Sequence, residues 1–451
     1  MIPTSPDPSS PSSKAKPVFG FILVGGAVVG AQVRDVRLAN ELVRRGYEVH
    51  AWWAFDRPNN AVLDRRITQH WLFSWSRYAG LGWYGVEDAV GRLSHRLFPA
   101  KFRDWVAQTC PGFMERQMTS VLRHVCRGVE RDRGLITSFA RELEQTGVTH
   151  LLPNLEMLAL FAKEARDLAS GKPRYVVTFQ GYEIYANFAR PIGLEARLYQ
   201  KLAEAVAHSG WPAVAVSDAY SERIQREIGL KPSQVASIPP GVPVGEPLPL
   251  DRARELVARQ FPSYNPALPL VTYLGRRDAE KGLDLLLYAV RLLEERGISV
   301  QLALCGPTAF GKNYVHACGQ IAEHLRIKPL LSDYVSDEIR SALFRVSRTV
   351  VYPSIHQEPF GMVPVEAMAQ GTPVIVPNLG GISKLIEAGG HRGGLTFACW
   401  DTGSLATKLE NLVTDNTLHE ELARGSRKVA EHFSIENMGT RVLAHLGLGP
   451  L

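Results

Sequence analysis

Two acidic side chains frame a glycine in the last third of the chain. Glu358 precedes Gly361 and Glu366 follows it, in the sequence EPFGMVPVE. If a helix begins at this glycine, its N-terminus offers unpaired N–H groups and a positive dipole to an anion. The helix end would take a diphosphate and the two carboxylates would take hydroxyl groups, a combination that suits a sugar nucleotide. Ordinary α/β packing with solvated acids is the alternative.

The residues around this glycine predict the elements that would position it. Residues 349–353 and 373–377 are apolar and rich in β-branched side chains, as buried parallel strands are. Between them, Pro364 suits the first turn of a helix, and Gly371 suits the left-handed position after its last turn. We therefore predict a strand, a loop, a helix opening around Met362, and a second strand.

Basic residues follow an apolar strand earlier in the chain. Arg276 and Lys281 lie five positions apart in GRRDAEKG, directly after the predicted strand PLVTYL. Such a pair at the carboxyl end of a strand can bracket phosphates, and a solvated loop is the alternative. Gly306 ends the next predicted strand, VQLALCGP, where a ligand could approach the backbone closely.

The length of 451 residues predicts two domains of roughly 200 residues each. The stretch ASIPPGVPVGEPLPL, rich in proline and glycine, marks the boundary. We predict an α/β protein, organised as follows: a disordered tail at 1–16, an N-terminal Rossmann-like domain at 17–240, a linker at 241–268, a C-terminal Rossmann-like domain at 269–425, and a final helix at 426–451 that returns to the N-terminal domain.

The N-terminal half begins with a buried strand that runs into a Gly-Gly turn. Gly26 in this turn would let a ligand approach, although plain turn chemistry is an equal alternative, and the spacing is not that of a dinucleotide fingerprint. Gln180 and Tyr182 follow the predicted strand RYVVTF, at the sheet edge where α/β proteins bind ligands. We interpret Ser217 first as a helix cap and only second as a site residue.

Composition restricts the location of the protein and the kinds of site it carries. The longest apolar run, residues 19–31, is too short and too glycine-rich to span a membrane, and the N-terminus does not resemble a signal peptide. Five scattered cysteines lack metal-ligand spacing, and no Asp-x-Asp motif stands near the predicted strand ends. We predict a cytoplasmic protein with no metal site and no cofactor.

Charge is unevenly distributed along the chain. Residues 1–250 contain 30 Lys and Arg against 24 Asp and Glu, so they carry the whole net charge of +6. Part of this excess lies among aromatic residues between positions 70 and 133. A helical insertion with buried aromatics is one interpretation. A surface that meets anionic lipid or a lipid-linked acceptor, at the inner face of the membrane, is the other. Nucleic acid is excluded as a partner because no known binding module is present.

The ordered motifs GRRDAEKG, EPFGMVPVE, AMAQGTPVI and a following Gly-Gly resemble those of the retaining nucleotide-sugar glycosyltransferases of glycosyltransferase family 4. The resemblance implies the GT-B fold, two Rossmann-like domains facing across a cleft. It also implies transfer of a sugar from a nucleotide-diphosphate sugar to a hydroxyl acceptor (a glycan, a lipid-linked acceptor or a small molecule). Weaker similarity extends through TFQGYE, VSDAYSERI and IPPGV in the N-terminal half.

The resemblance also implies roles for individual residues. Arg276 and Lys281 would bind the diphosphate and stabilise the departing nucleotide, Glu358 would face the donor sugar, and Glu366 would hold the ribose. The remaining donor-binding residues would be Gly26, Gly306, Gly361, Met362 and Val363, and Gln180 and Tyr182 would contact the acceptor or the transferred sugar.

Three features depart from the family pattern. Gln180 stands where the family often has a histidine, Lys384 stands where a glutamate is usual, and residues 70–133 are not recognisable family sequence. The alternatives are therefore a sugar phosphorylase or nucleotide-sugar epimerase of the same architecture, or a degenerate protein that binds a sugar nucleotide without turning it over.

Overall fold

The structure of the chain is a computed structural model that describes residues 16–24, 30–54, 63–72, 119, 122–123, 125–126, 133–308 and 312–449. Contacts within the chain divide it into two compact units. The first unit comprises residues 1–177 with 182–210, and the second comprises 178–181 with 211–451. This division comes earlier in the sequence than the predicted linker, because residues 211–240 make their contacts with the second unit.

The first unit is built on a parallel sheet with strand order β3-β2-β1-β4-β5. The central strand β1 is buried over almost its whole length, since VFGFIL has apolar side chains on both faces. The strands are β1 (Val18–Leu23), β2 (Glu48–Trp53), β3 (Thr68–Trp71), β4 (His150–Pro153) and β5 (Arg174–Tyr175). The parallel α/β sheet predicted for this half is therefore present.

The helices of this unit lie between its strands or follow the last of them. They are α1 (Gly30–Arg44), α2 (Arg133–Thr146), α3 (Glu156–Leu168), α4 (Glu183–Ala189) and α5 (Glu195–Ser209). Helix α1 buries Val36, Leu38, Ala39, Leu42 and Val43, which recur at helical spacing. Between α2 and α3 the rings of Phe139 and Phe161 stack with their centroids 5.1 Å apart.

The second unit contains a small parallel sheet and a large one. The small sheet has the order β6-β7-β8, formed by β6 (Thr178–Phe179), β7 (Ala213–Ala215) and β8 (Val235–Ser237), with α6 (Asp218–Ile228) between the last two strands. In order across the large sheet, its strands are β11 (Leu330–Ser332), β10 (Gln301–Cys305), β9 (Leu270–Leu274), β12 (Thr349–Val351), β13 (Val374–Pro377) and β16 (Gly394–Phe397), and every pairing is parallel.

The remaining elements of the second unit follow in chain order. They are α7 (Leu250–Gln260), β9 (Leu270–Leu274), α8 (Leu283–Glu295), β10 (Gln301–Cys305), α9 (Lys312–His324), β11 (Leu330–Ser332), α10 (Asp337–Val346), β12 (Thr349–Val351), α11 (Met362–Ala369), β13 (Val374–Pro377), β14 (Glu387–Ala388), β15 (His391–Arg392), β16 (Gly394–Phe397), α12 (Thr402–Thr414), α13 (Asn416–His432) and α14 (Ile435–His445). In the part of the chain that the structure describes, no helix is both long and apolar enough to cross a bilayer.

The strand–loop–helix–strand unit predicted around Gly361 is confirmed. Helix α11 opens at Met362 with Pro364 in its first turn, and its buried flanking strands are β12 and β13. Gly371 follows the helix with φ of 79°, the left-handed conformation that a residue without a Cβ adopts readily.

The predicted linker at 241–268 is not simply a linker, because helix α7 lies within it. Ala253, Leu256 and Val257 of α7 are fully buried in one core cluster with Leu270 and Ala303 from strands β9 and β10. A helix that buries this much apolar surface is stabilised by the core it covers. Proline and glycine mark only the approach to α7, not the whole segment.

The last helix makes contacts near residues 212 and 241. Ser434 forms an isolated parallel bridge with Val242, and the ring of His445 hydrogen-bonds the carbonyl of Pro212 through Nε2 at 2.9 Å. A Cβ on Gly241 would lie 2.6 Å from Cα of Ile435, so this glycine allows the start of α14 to approach the chain. Pro212 and α14 both belong to the second unit, so the return of the final helix to the N-terminal domain stays a prediction.

Candidate active site

The site in the second unit lies where the order of its large sheet reverses direction. The chain builds β9, β10 and β11 outward on one side, then returns to β12 beside β9 and continues to β13 and β16. The loops after β9 and β12 therefore diverge and leave a crevice at the carboxyl edge, the usual ligand site of such sheets. Both predicted charged motifs follow these two strands.

Arg276 lies in the loop after β9 and is held by two acids. Its guanidinium contacts the carboxylate of Asp278 and donates from Nη2 to Oε1 of Glu280 at 2.6 Å. Tyr273 donates its hydroxyl to the carbonyl of Arg276. The Arg276 side chain keeps 32% of its surface exposed, so it can meet a ligand. Its guanidinium is oriented before any ligand arrives.

Lys281 ends the same loop, in the short 3-10 helix Ala279–Lys281, and it is only 5% exposed. Its ammonium pairs with the carboxylate of Glu358, from the loop after β12, and lies 5.7 Å from the ring centroid of Tyr352. The solvated-loop interpretation is therefore wrong for Lys281. The ion pair bridges the two loops that form the crevice.

Glu358 is a buried carboxylate with a defined set of partners. Ser354 donates its hydroxyl to Oε1 at 3.0 Å, and Nδ1 of His356 lies 3.8 Å from the same oxygen. Burial favours the neutral acid, but the charge of Lys281, with His356 and the hydrogen bonds from Lys281 and Ser354, outweighs it and lowers the pKa of Glu358. Glu358 is therefore ionised at neutral pH.

Gly361 precedes helix α11 with φ of 120°, a conformation that side chains rarely adopt. A Cβ at this position would also lie 2.9 Å from the side chain of Ile382. Met362 and Val363 follow it, and both residues are partly exposed. These positions agree with an anion site at the N-terminus of α11.

Glu366 lies one turn into α11 and is 9% exposed. Its Oε2 is 3.5 Å from Nε of Arg340 on α10. Glu358 and Glu366 thus flank the start of one helix from different surroundings: Glu358 faces Lys281 and Ser354, and Glu366 faces α10.

Glycines set how closely the loops pack at the strand ends. Gly306, at the tip of β10, has φ of 126°, and a Cβ there would lie 2.0 Å from the carbonyl oxygen of Gly275. Gly380 follows β13, and a Cβ there would lie 2.9 Å from both N and O of Glu358. Gly306 is required by packing, and its donor-binding role stays a prediction.

Ser217 caps α6, as the sequence indicates, and also contacts the site loop. Its Oγ accepts from the backbone N–H of Tyr220 at 3.2 Å and donates to the carbonyl of Pro359 at 2.6 Å. The residue next to Glu358 is therefore fixed by a side chain 142 positions away. Lys384, at the end of the 3-10 helix Gly381–Lys384, is exposed.

The predicted acceptor residues fall in different environments. Gln180 is partly exposed at the end of β6. Tyr182 is fully buried and forms an edge-to-face contact with Tyr199 at 6.1 Å, which is a packing role. Gly26 lies outside the described residues, and so do most of residues 70–133. Their roles stay predictions.

Sequence reasoning missed several members of the site. Ser354, His356, Tyr352 and Arg340 orient the predicted residues, yet none stands in a motif that signals this.

In the first unit, buried polar residues gather where β1 and β4 reverse the strand order: Asn154 Nδ2 donates to Oδ2 of Asp35 at 2.6 Å. Asn154 is the last residue of the predicted strand THLLPN, and this place at a strand end was the available signal.

Comparison with known proteins identifies the part of the chain that carries this site. Residues 258–429 match the family model of glycosyl transferases group 1. This segment runs from α7 to α13 and includes both charged loops of the crevice. Among the described residues, no group of three or more His, Cys, Asp and Glu is placed to hold a metal ion.

Curated relatives are similar over part of their length. The D-inositol 3-phosphate glycosyltransferase of Rhodococcus opacus is 30% identical over 240 residues, 51% of each chain. The mannosylfructose-phosphate synthase of Agrobacterium fabrum is 27% identical over 287 residues, 62% of this chain and 60% of that protein. The chain thus spans about half to three fifths of the length of these relatives.

Solved structures match almost the whole chain in fold. Anabaena Alr3699/HepE, in complex with UDP and glucose, superposes with a TM-score of 0.68 at 16% identity and covers 95% of this chain and 99% of its own. Sucrose-phosphate synthase from Thermosynechococcus elongatus gives 0.70 at 17% identity, with 96% and 98% covered. The chain has the GT-B fold, with Rossmann-like parallel α/β units, as predicted.

Proposed function

We propose that the protein is a retaining glycosyltransferase that moves a sugar from a nucleotide-diphosphate sugar to a hydroxyl acceptor without a metal ion. The observation that supports this most directly is the buried Lys281–Glu358 pair, which joins the two loops at the reversal of the large sheet. It places a cation and a carboxylate side by side at the start of α11. The group 1 match over residues 258–429 supports the same assignment.

In this proposal the second unit holds the donor. The diphosphate lies at the N-terminus of α11 between Arg276 and Lys281, and an ammonium has three N–H donors, so Lys281 can keep Glu358 and still bind phosphate. Glu366 holds the ribose hydroxyls and Glu358 faces the donor sugar. HepE, a structural neighbour, is known in complex with UDP and with UDP-glucose, which supports a nucleotide-sugar donor.

The reaction breaks the bond between the anomeric carbon and the diphosphate oxygen and forms a bond from that carbon to the acceptor oxygen. The acceptor oxygen attacks from the face that the diphosphate leaves, and its proton goes to the departing phosphate. The new bond therefore has the original configuration. Negative charge grows on the diphosphate as the bond breaks. Arg276, Lys281 and the helix end stabilise that charge most in the transition state, which is the condition for catalysis.

The first unit holds the acceptor in this proposal. The two curated relatives described above are named for a phosphorylated substrate or product, an inositol phosphate and a mannosylfructose phosphate. Contact of the basic segment 70–133 with anionic lipid is part of the proposal as well. Vesicle sedimentation with increasing anionic lipid and salt tests that contact, and Arg96, Lys101 and Arg103 changed to Glu are the variants to compare.

The test of the main proposal is a thermal-shift panel of UDP-, GDP-, ADP- and dTDP-sugars, followed by turnover with the donor that stabilises most. A ligand at a hundred times its Kd stabilises by about 2.7 kcal/mol. We expect one nucleotide to stand out, slow donor hydrolysis without acceptor, retained anomeric configuration by NMR, and unchanged activity in EDTA. Binding without any turnover would favour a degenerate binding protein, and strict dependence on orthophosphate would favour a phosphorylase.

A further inference from the structure

Trp400 is a large exposed aromatic residue held in a backbone conformation that suits glycine. Its φ is 70° and 64% of its surface is exposed. The backbone N–H of Asp401 donates to the carbonyl of Ala398 at 3.0 Å, so Trp400 is the third residue of a tight turn. Glycine or asparagine normally fills a third position with positive φ. Bulky residues in this region are rare, and such strain concentrates at functional sites.

The turn that carries Trp400 is rigidly fixed. Ser404 makes two hydrogen bonds to the turn: its Oγ accepts from the N–H of Ala398 at 3.0 Å, and its own N–H donates to Oδ1 of Asp401 at 2.9 Å. Asn378, after β13, accepts the N–H of Cys399 at 3.0 Å. The indole is thus presented to solvent from a backbone with little freedom, which lowers the entropy lost when a ligand stacks on it.

The turn lies at the same edge of the sheet as the candidate active site and reaches toward Glu358. Strand β16 runs parallel to β13, so the turn after β16 is at the carboxyl edge. Sγ of Cys399 lies 3.8 Å from the carbonyl oxygen of Ser354, and Ser354 donates to Glu358 at 3.0 Å. Trp400 therefore directly follows Cys399, which contacts Ser354, the hydrogen-bond donor to Glu358.

Trp400 and Glu366, the proposed ribose partner, lie toward different edges of the large sheet. Glu366 faces Arg340 on α10, and α10 packs in the core cluster with residues of β9, β10 and β11. Trp400 follows β16, at the opposite edge of the sheet from β11. A ligand that runs from Glu366 across the diphosphate to Glu358 would point its sugar toward the Trp400 side.

We propose that Trp400 is a sugar-stacking residue of the donor site, whose indole face takes the apolar face of the transferred pyranose. An aromatic ring offers a flat apolar surface with negative charge at its face, which complements the C–H groups of a pyranose. This inference rests on the proposed function, because it requires a nucleotide sugar in the crevice. It adds a contact to the sugar alone, with no contact to the nucleotide.

The test measures Kd for UDP-glucose and for UDP by calorimetry in the wild type, Trp400→Gly and Trp400→Phe. Glycine relieves the backbone conformation, so Tm should stay or rise in Trp400→Gly. We expect its Kd for UDP-glucose to rise about tenfold, which equals about 1.4 kcal/mol, with Kd for UDP unchanged. Trp400→Phe should stay within about threefold of the wild type because it keeps a ring.

Arg326→Gly is the matched control. Arg326 is exposed and has φ of 59°, but it precedes β11 and so lies at the amino edge of the sheet. It should change neither Kd. Unchanged UDP-glucose affinity in Trp400→Gly, or an equal loss for UDP and UDP-glucose, would overturn the sugar contact. If the wild type binds neither UDP nor UDP-glucose, the same comparison is run with the nucleotide and sugar that the thermal-shift panel selects. A wild type that binds none of them would overturn the proposed function and this inference with it.

Discussion

Replacing Lys281 by Met should destabilise the second unit far more than replacing Arg276 by Ala. Lys281 is buried and pairs with Glu358, so its loss leaves a buried carboxylate without its main counter-charge. Arg276 and its partner Glu280 are 32% and 39% exposed, so water can take the place of that pairing, and of the groups that Arg276 holds only Asp278 is buried. Exposed or half-exposed ion pairs contribute about 0–1 kcal/mol.

The size of the Lys281 effect follows from the surroundings of Glu358. Two unit charges in contact at a partly buried site attract with about 4 kcal/mol, and breaking a buried pair costs about 3–5 kcal/mol. Glu358 keeps the hydrogen bond from Ser354 and the nearby ring of His356, which offset part of this. We expect a loss of about 3 kcal/mol in the free energy of unfolding, or about 6–12 °C in Tm for a unit of this size.

The assay is scanning calorimetry of Lys281→Met, Glu358→Gln, the double variant and Arg276→Ala. The double variant should be more stable than the sum of the single effects predicts, by about 2 kcal/mol or more. The pH dependence gives a second check. Loss of Lys281 raises the pKa of Glu358 in the folded protein, so the deficit should shrink as pH falls toward 5. Additive single effects within about 0.5 kcal/mol, or equal losses in Lys281→Met and Arg276→Ala, would refute the reasoning.

Two further variants test other parts of the molecule. Glu366→Ala should raise KM for the donor about tenfold and leave kcat within about threefold, because ribose contacts differ little between ground and transition states; steady-state kinetics showing the reverse would exchange the roles of Glu366 and Glu358. Glu164 on α3 has its pKa raised by burial to about 7. An acid with a raised folded pKa makes stability fall as pH rises from about 4.5 to 7. Glu164→Gln should therefore gain stability relative to the wild type across this range, by about 3 kcal/mol in urea titrations, and a gain that does not vary with pH would contradict it.

The strand–loop–helix–strand unit around Gly361 could be predicted because each of its parts has a local signal. Buried strands, a proline in the first helical turn and a glycine after the last turn are properties of neighbouring residues. Helix α7 also had such a signal. Its buried Ala253, Leu256 and Val257 follow helical spacing, but the proline-rich approach to the helix led to the interpretation of a linker.

The pairing of Lys281 with Glu358 could not be predicted in the same way. The two residues are 77 positions apart, and their contact depends on β9 and β12 becoming neighbours when the sheet reverses. Sequence spacing placed both residues at strand ends, but burial of Lys281 is a property of the assembled loops. The same limit applies to Trp400, since a positive φ at a bulky residue contradicts the propensity on which sequence reasoning depends.

The cations of the candidate donor site are already partnered by the protein's own acids. Arg276 is held by Asp278 and Glu280, and Lys281 by Glu358, so a diphosphate bound as proposed would share these groups with carboxylates. This arrangement weakens attraction to a free anion, yet it fixes the direction of each N–H donor and reduces the reorganisation needed during reaction. Charge that develops late on a leaving diphosphate gains most from donors that are already oriented. If the protein is the transferase proposed above, the acids around Arg276 and Lys281 would favour transition-state stabilisation over tight binding of the ground state, which helps release of the nucleotide product.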